Sequence, residues 1–196
     1  MKITLLNRIL LLLTGILAAY QVASGINGLG DVPIIAYTIA FGVLLLAGLL
    51  LIILGLEVLD SPIVVIVSTI IPLSMSLGLV WQYLPGIRIY YLIFTILGFI
   101  SIILTRLFTN NKVLQIVFLA SVHGVAGLII FLLPSIVAAS GVTRSGFALV
   151  GVGGALISLG GLLLSLLKTG RPILSRETIF RILPSLLLLM TITFVI

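Results

Sequence analysis

The sequence predicts an all-α fold, a polytopic bundle of seven transmembrane helices that occupies residues 1–196 as a single domain. Ten basic and four acidic residues divide the chain into seven long uncharged stretches, each close to the roughly 20 apolar residues that a helix needs to cross a bilayer. Hydrophobic residues make up 62% of the chain and the mean hydropathy is +1.51, far above the values of soluble domains. Since backbone amides in hydrocarbon must be paired internally, such spans are helices, and no alternating ten-residue strands indicate a barrel.

Turn and cap residues separate the first three spans. A polar turn follows span 1, and Pro33 opens span 2 because proline is tolerated in a first helical turn. Ser61 and Pro62 predict an N-cap and a first-turn proline for span 3. Pro85 and Gly86 indicate the turn that ends it. These spans are predicted over residues 6–25, 33–56 and 62–84.

Charged residues separate the last four spans. Arg88 precedes span 4, Arg106 and Lys112 enclose the loop before span 5, and Arg144 precedes span 6. A polar, basic segment over residues 168–181 leads to span 7. These spans are predicted over residues 89–105, 113–138, 146–167 and 179–196.

The distribution of basic residues predicts the orientation. Eight of them fall on the side of the N-terminus and two on the other, which by the positive-inside rule places the N-terminus in the cytoplasm and the C-terminus outside. All five tyrosines and the single tryptophan fall near the predicted outer face, where amphipathic rings favour the headgroup layer. We therefore expect a multi-pass protein of the cell (cytoplasmic/inner) membrane.

Spaced glycines and prolines indicate a possible duplication of spans 1–3 as spans 5–7, with span 4 as a linker. Both halves would then enter the membrane in the same direction, a parallel 3+1+3 arrangement found in some sugar transporters. The alternative is a chance match, since apolar helices align with one another readily. The matched pairs are Gly15 with Gly124, Gly42 with Gly151, Gly48 with Gly160 and Pro72 with Pro184.

Composition argues against several function classes. The chain has no cysteine, which excludes thiolate zinc sites, iron–sulfur ligation, thiol catalysis and disulfides. The ten basic residues are too few and too scattered for a nucleic-acid surface, and the last span has no lysine to form a retinal Schiff base. No interface gathers histidines and acids as membrane enzymes do, so we predict that the protein is not an enzyme.

His123 is the only histidine, and it lies about ten residues into span 5, near the midplane. Ionisable groups at this depth favour a functional role. Small neighbours would let a planar macrocycle approach, so a neutral imidazole could hold a chlorophyll magnesium or, as the sole protein ligand, a haem iron. The alternative is a neutral histidine bonded to a neighbouring helix. The small neighbours are Ala120, Ser121, Gly124, Ala126 and Gly127.

Span 3 has a proline in its middle, flanked by hydroxyl side chains. Pro72 removes one helical hydrogen bond and predicts a kink, and transporters often place substrates at broken helices. The hydroxyls either line a substrate path or satisfy the freed carbonyls, because kinks also occur in proteins without a transport role. The candidate path residues are Ser68, Thr69, Pro72, Ser74 and Ser76.

Span 6 has small residues at three- and four-residue spacing, which lets helix backbones approach closely. The partner of this face is either another span of the chain or another subunit. The helix-packing residues are Gly151, Gly154, Ser158, Gly161 and Ser165.

The basic segment between spans 6 and 7 lacks matching acids and histidines. It suits anionic lipid headgroups or an acidic partner surface. The candidate contact residues are Lys168, Arg171, Arg176 and Arg181.

Three functions are consistent with these observations. The first is a small, non-catalytic integral subunit that packs within a larger membrane assembly, with the lipid bilayer and other membrane subunits as partners. The second is a facilitator for a small or apolar solute, with span 3 and His123 lining the path. The third is a pigment- or haem-binding membrane protein that uses His123.

Overall fold

The computed structural model describes residues 4–25, 28–168 and 173–195, and of residues 60, 161–162 and 164–168 it describes the backbone alone. The described residues form seven α-helices joined by turns and three 3-10 helices, with no strand among them. The α-helices are α1 (Leu5–Ser24), α2 (Asp31–Leu54), α3 (Pro62–Tyr83), α4 (Arg88–Phe108), α5 (Lys112–Ala139), α6 (Ala148–Lys168) and α7 (Arg176–Val195). The 3-10 helices are Leu56–Asp60, Pro85–Ile87 and Ser145–Phe147.

The predicted all-α fold is confirmed for the described part of the chain. Each helix begins and ends within three residues of the corresponding predicted span. Six helices, α1 to α5 and α7, are long and apolar enough to cross a membrane. The remaining helix, α6, has 21 residues and is apolar over its described side chains, so it is the seventh candidate.

The helix ends follow from caps and glycines. Thr4 caps α1 by accepting a hydrogen bond from a backbone N–H of the first turn, at 3.2 Å. Asn111 caps α5 in the same way, accepting from two backbone N–H groups at 3.0 and 3.3 Å. Helix α2 ends at Leu54, two residues before the predicted end, because Gly55 adopts a φ of +86° that other residues rarely take.

Six helices form a closed ring in the order α1, α2, α3, α5, α6 and α7, with α7 packed back on α1. Helix α4 lies outside this ring and packs on α3 and α5. Only 17% of its apolar segment is buried, against 28–39% for the other five long apolar helices. It is therefore the peripheral helix of the bundle.

The largest buried cluster draws on five of the ring helices and includes Tyr37 and Phe41 of α2. Phe147 and Phe194 pack against it at the end of the bundle where α2 and α6 begin and α3 and α7 end. We call this the aromatic end. A second cluster joins α3, α4 and α5 and consists of Leu73, Ile102, Val122 and Ala126.

Candidate functional site

A cleft of about 110 Å³ lies at the aromatic end of the bundle. Its lining comes from the turn before α2, from α2 itself, from the last turn of α3, from the 3-10 helix before α6, and from the end of α7. The cleft thus lies where α2 and α3 meet the ends of α6 and α7. The lining residues are Leu29, Tyr37, Gln82, Tyr83, Phe147 and Phe194.

Tyr37 forms the floor of this cleft. Its side chain is 2% exposed, and its ring lies against α3 at Gly78, where a Cβ atom would overlap the ring. The absence of a side chain at Gly78 is therefore what allows α2 and α3 to approach here. Phe194 of α7 meets the same ring edge-on, with centroids 4.9 Å apart and an interplanar angle of 67°.

Aromatic contacts continue around the cleft and join helices from opposite sides of the six-helix ring. Phe194 also packs on Phe41, with centroids 5.1 Å apart, and on Phe147, at 6.1 Å. Tyr83 in turn meets Phe147 at 6.4 Å. All these separations fall in the range of favourable ring pairs, about 4.5–7 Å. The cleft walls are therefore mainly aromatic and are held by packing between distant parts of the chain.

Few polar groups reach this cleft. The Tyr37 hydroxyl donates a hydrogen bond to Gln82 Oε1 at 3.2 Å, which fixes the amide of Gln82 at the wall. The Tyr83 side chain brings a second hydroxyl to the lining. Just outside, Arg144 Nη2 donates to the Thr193 carbonyl at 3.4 Å, beside Phe194. The charged guanidinium of Arg144 therefore lies next to a cleft whose lining residues are uncharged.

The lining has the composition of a ligand site, but the volume is below the usual range. Ligand sites are typically apolar and aromatic with a few placed polar groups, and drug-sized ligands need about 300–1,000 Å³. A volume of about 110 Å³ restricts the occupant to a few heavy atoms. The six lining residues include no carboxylate, histidine or cysteine, so the chemistry that they offer is shape, ring contact and hydrogen bonding.

The predicted path residues of span 3 lie in the middle of α3, away from the cleft. Thr69 and Ser76 are fully buried, and Ser68 is half-buried. Their hydroxyls donate to carbonyls of the same helix, from Ser76 to Pro72 at 2.6 Å and from Ser68 and Thr69 to Val65 at 3.0 and 2.8 Å. These bonds support the structural interpretation of the hydroxyls. Half-buried Ser74 completes the predicted set.

His123 lies on α5, half-buried, beside the face on which α4 packs. Neighbouring helices occupy much of the space that the small residues around His123 leave open. A Cβ atom at Gly98 of α4 would lie 3.3 Å from Val122, and one at Gly127 would overlap Ser158 of α6. Gly124 alone of these glycines faces open space. Pigment or haem binding through His123 stays a prediction, which a visible absorption spectrum of the purified protein tests.

The predicted packing residues of span 6 contact other helices of the chain wherever the structure describes their side chains. Cβ atoms at Gly151 and Gly154 would overlap Phe131 and Ile130 of α5, and Ser158 meets Gly127 of the same helix. Gly153, which the predicted set did not include, faces α7, where its Cβ would lie 3.0 Å from Met190. For Gly161 and Ser165 only the helical backbone lies within the described part.

The predicted basic contact residues divide into two groups. Arg181 pairs with Glu177 at 2.9 Å on an exposed face of α7, and the guanidinium of Arg176 lies 5.1 Å from the ring centre of Phe180. Arg171 and the side chain of Lys168 lie outside the described residues.

Sequence reasoning did not single out the cleft. Tyr37, Trp81 and Tyr83 were expected at this end as interfacial aromatics, and Gln82 lies between two of them. The position of Gln82 between two aromatic residues is the sequence feature that could have indicated the cleft. Phe147 and Phe194 could not be assigned to the cleft from the sequence, because only the closure of the six-helix ring brings them next to Tyr37.

Within the described residues, no group of three or more histidine, cysteine, aspartate or glutamate side chains has the spacing of a metal site. Comparisons with models of known protein families, with curated proteins and with solved structures give no match for this chain. Its six to seven long apolar helices are compatible with a multi-pass integral membrane protein.

Proposed function

We propose that the protein is a membrane facilitator for a small solute, which binds in the cleft at the aromatic end. The observation that carries this proposal is the position of the cleft between α2 and α3 on one side and the ends of α6 and α7 on the other. A site at the junction of two helix groups changes shape when one group moves against the other, which is how many transporters couple binding to access.

The packing of the ring supports such a movement between two halves. Helices α1, α2 and α3 contact one another in chain order, as do α5, α6 and α7, and the two sets meet through α3 with α5 and through α7 with α1. Exchanging α1 with α5, α2 with α6 and α3 with α7 leaves this pattern of neighbours unchanged. The pattern supports the proposed parallel 3+1+3 duplication, with Pro72 and Pro184 inside the equivalent helices α3 and α7.

The lining indicates the class of solute. Four aromatic walls favour an apolar or planar body, while the Gln82 amide and the Tyr83 hydroxyl favour one polar group. With the orientation predicted from the basic residues, the aromatic end faces the outside, and the cleft is the outer binding position. The small volume favours neutral solutes of a few heavy atoms.

An osmotic swelling assay on proteoliposomes tests this proposal, with urea and glycerol as the probe solutes. Phe147→Trp fills the cleft, and we expect it to lower the permeability to the transported probe at least about tenfold, a change of about 1.4 kcal/mol in the barrier. Phe118→Trp is the matched control, since Phe118 is an exposed residue of α5. Equal permeability of both variants and the parent protein, or no permeability above empty liposomes, contradicts the proposal.

A subunit of a larger membrane assembly is the second candidate. It is favoured by α4, which lies outside the ring and keeps a long apolar face exposed, including Ile93, Leu97 and Leu104. Gly151, Gly153 and Gly154 of α6 do not support it, because they pack within the chain, whereas Gly160 faces open space. Native mass spectrometry in mild detergent separates the two candidates: a fixed stoichiometry with other polypeptides favours the subunit, and a particle of one or two copies favours the facilitator.

A further inference from the structure

The hydroxyl of Tyr37 determines how the amide of Gln82 is oriented at the cleft wall. The Tyr37 side chain is buried, and among the described residues its hydroxyl has one hydrogen-bond partner, Gln82 Oε1 at 3.2 Å. If the amide were turned around, its N–H would point at the hydroxyl oxygen, and the buried hydroxyl proton would be left without an acceptor. The Tyr37 proton therefore holds the amide with its oxygen toward α2.

The amide nitrogen of Gln82 is the half of the group that remains for a solute. Gln82 is half-buried in the last turn of α3 and carries the only side-chain nitrogen of the six lining residues. Within the described part of the chain, no acceptor bonds to this nitrogen, and it is not one of the polar atoms that are both sealed and unpartnered. Its N–H groups are therefore accessible to a molecule in the cleft.

The other groups around the cleft favour an uncharged solute with an acceptor. Leu29, Phe147 and Phe194 offer apolar contact alone. The Tyr83 hydroxyl can donate to an oxygen as readily as it can accept. None of the six lining residues carries a carboxylate to neutralise a cation, and the Arg144 guanidinium beside the cleft repels one. A solute with donors alone would face the amide N–H groups with no acceptor to offer them.

We propose that the cleft selects small neutral carbonyl compounds, the short ketones and amides, whose oxygen accepts a hydrogen bond from Gln82 Nε2 while their apolar part lies on the aromatic walls. This inference deepens the proposed function by naming the class of solute, and it rests on that function in placing a solute in this cleft. A planar carbonyl compound of a few heavy atoms suits the volume of about 110 Å³. A site that donates to a substrate oxygen rejects an analogue without the acceptor, because the donor is then left unpaired.

Titration of the purified protein in mild detergent with two matched probes tests this selection, followed by saturation-transfer NMR of the probe methyl groups. Acetone and acetamidinium share a planar skeleton, but acetone has only an acceptor and acetamidinium has only donors. We expect the parent protein to bind acetone in preference, and Gln82→Leu to bind acetone about fivefold more weakly, as for the loss of one neutral hydrogen bond. Gln115→Leu is the matched control, since the Gln115 amide donates to the Thr109 carbonyl at the opposite end of the bundle.

Gln82→Glu provides a second variant that keeps an oxygen for Tyr37 to donate to and replaces the amide N–H groups by a carboxylate oxygen. At about pH 8, where a glutamate carboxyl is ionised, we expect this variant to bind acetamidinium in preference to acetone. Absence of acetone binding, equal binding of both probes by the parent protein, or unchanged acetone binding in both Gln82 variants overturns the proposal.

The binding titration and the swelling assay fail separately. Preferential acetone binding without permeability rejects the facilitator and supports the carbonyl selection by Gln82. Permeability that Phe147→Trp lowers, with no preference between acetone and acetamidinium, supports the facilitator and overturns the selection.

Discussion

The ring of Tyr37 lies directly on the backbone of α3 at Gly78, with no room for even a Cβ atom between them. This contact positions the Tyr37 hydroxyl for its hydrogen bond to Gln82 and fixes the floor of the cleft. It also sets the separation of α2 and α3, two adjacent helices of the ring. A single glycine thereby connects helix packing with the shape of the candidate site.

Gly78→Ala is expected to destabilise the protein by about 1–3 kcal/mol, because the added methyl group overpacks a rigid, buried ring. Thermal unfolding in detergent measures the change. Gly42→Ala is the matched control on α2, where a Cβ atom meets nothing within 4 Å and alanine is the better helix former. Combining Gly78→Ala with Tyr37→Leu should recover part of the loss. Equal stability of both alanine variants would argue against the close contact.

Gly151→Ala should weaken the packing of α6 on α5 by a similar amount, about 1–3 kcal/mol. The new methyl group would overlap the Phe131 carbonyl, a backbone atom that cannot rotate away. Gly160→Ala, on the same helix but with open space at its Cβ position, serves for comparison. Unfolding by a denaturing detergent measures both variants. A loss at Gly160 as large as that at Gly151 would contradict the described packing.

Tyr37→Phe removes one buried donor and should cost about 0.6 kcal/mol, the average for a side-chain hydrogen bond between membrane helices. A double-mutant cycle with Gln82→Leu isolates the interaction between the two side chains. We expect a coupling energy of the same size, read from unfolding midpoints of the four proteins. A coupling indistinguishable from zero would show that the bond contributes nothing to stability.

Ser76→Ala and Thr69→Val should leave solute permeability unchanged and shift stability by less than about 1 kcal/mol. Both hydroxyls donate to carbonyls of their own helix, so their loss removes no contact with a solute in the cleft. The swelling assay used for Phe147→Trp measures the permeability. A large fall for either variant would instead place the path through the middle of α3, as the sequence suggested.

The helices were predictable because their signals are local. Apolar length predicts a span, and Ser61 with Pro62 or Gly55 determines where a helix begins or ends. The order of helices in the ring was not predictable, because a helix apolar on every side does not reveal which face meets which neighbour. The cleft depends on that order. Phe147 and Phe194 are ordinary apolar residues in the sequence, and only ring closure places them beside Tyr37.

For the glycines of span 6, likewise, one part of the contact was predictable from the sequence and another was not. Their spacing predicted a close helix contact, and the described members, Gly151 and Gly154, make one. The sequence left two partners possible, a span of this chain or another subunit, because spacing defines a face and not its neighbour. The structure resolves this for the described residues, where α5 occupies the face.

The peripheral position of α4 has a consequence for the direction in which the later helices run. Three ring helices precede it and three follow it, and in a chain whose helices cross a membrane in turn, each crossing reverses the direction of the next. Joined directly, α3 and α5 would run in opposite directions, and the second set of three would be inserted upside down relative to the first. In the proposed parallel 3+1+3 arrangement, one additional crossing outside the ring gives both sets of helices the same direction. Deleting α4 from that arrangement would therefore reverse the second set of three helices, although α4 does not line the ring.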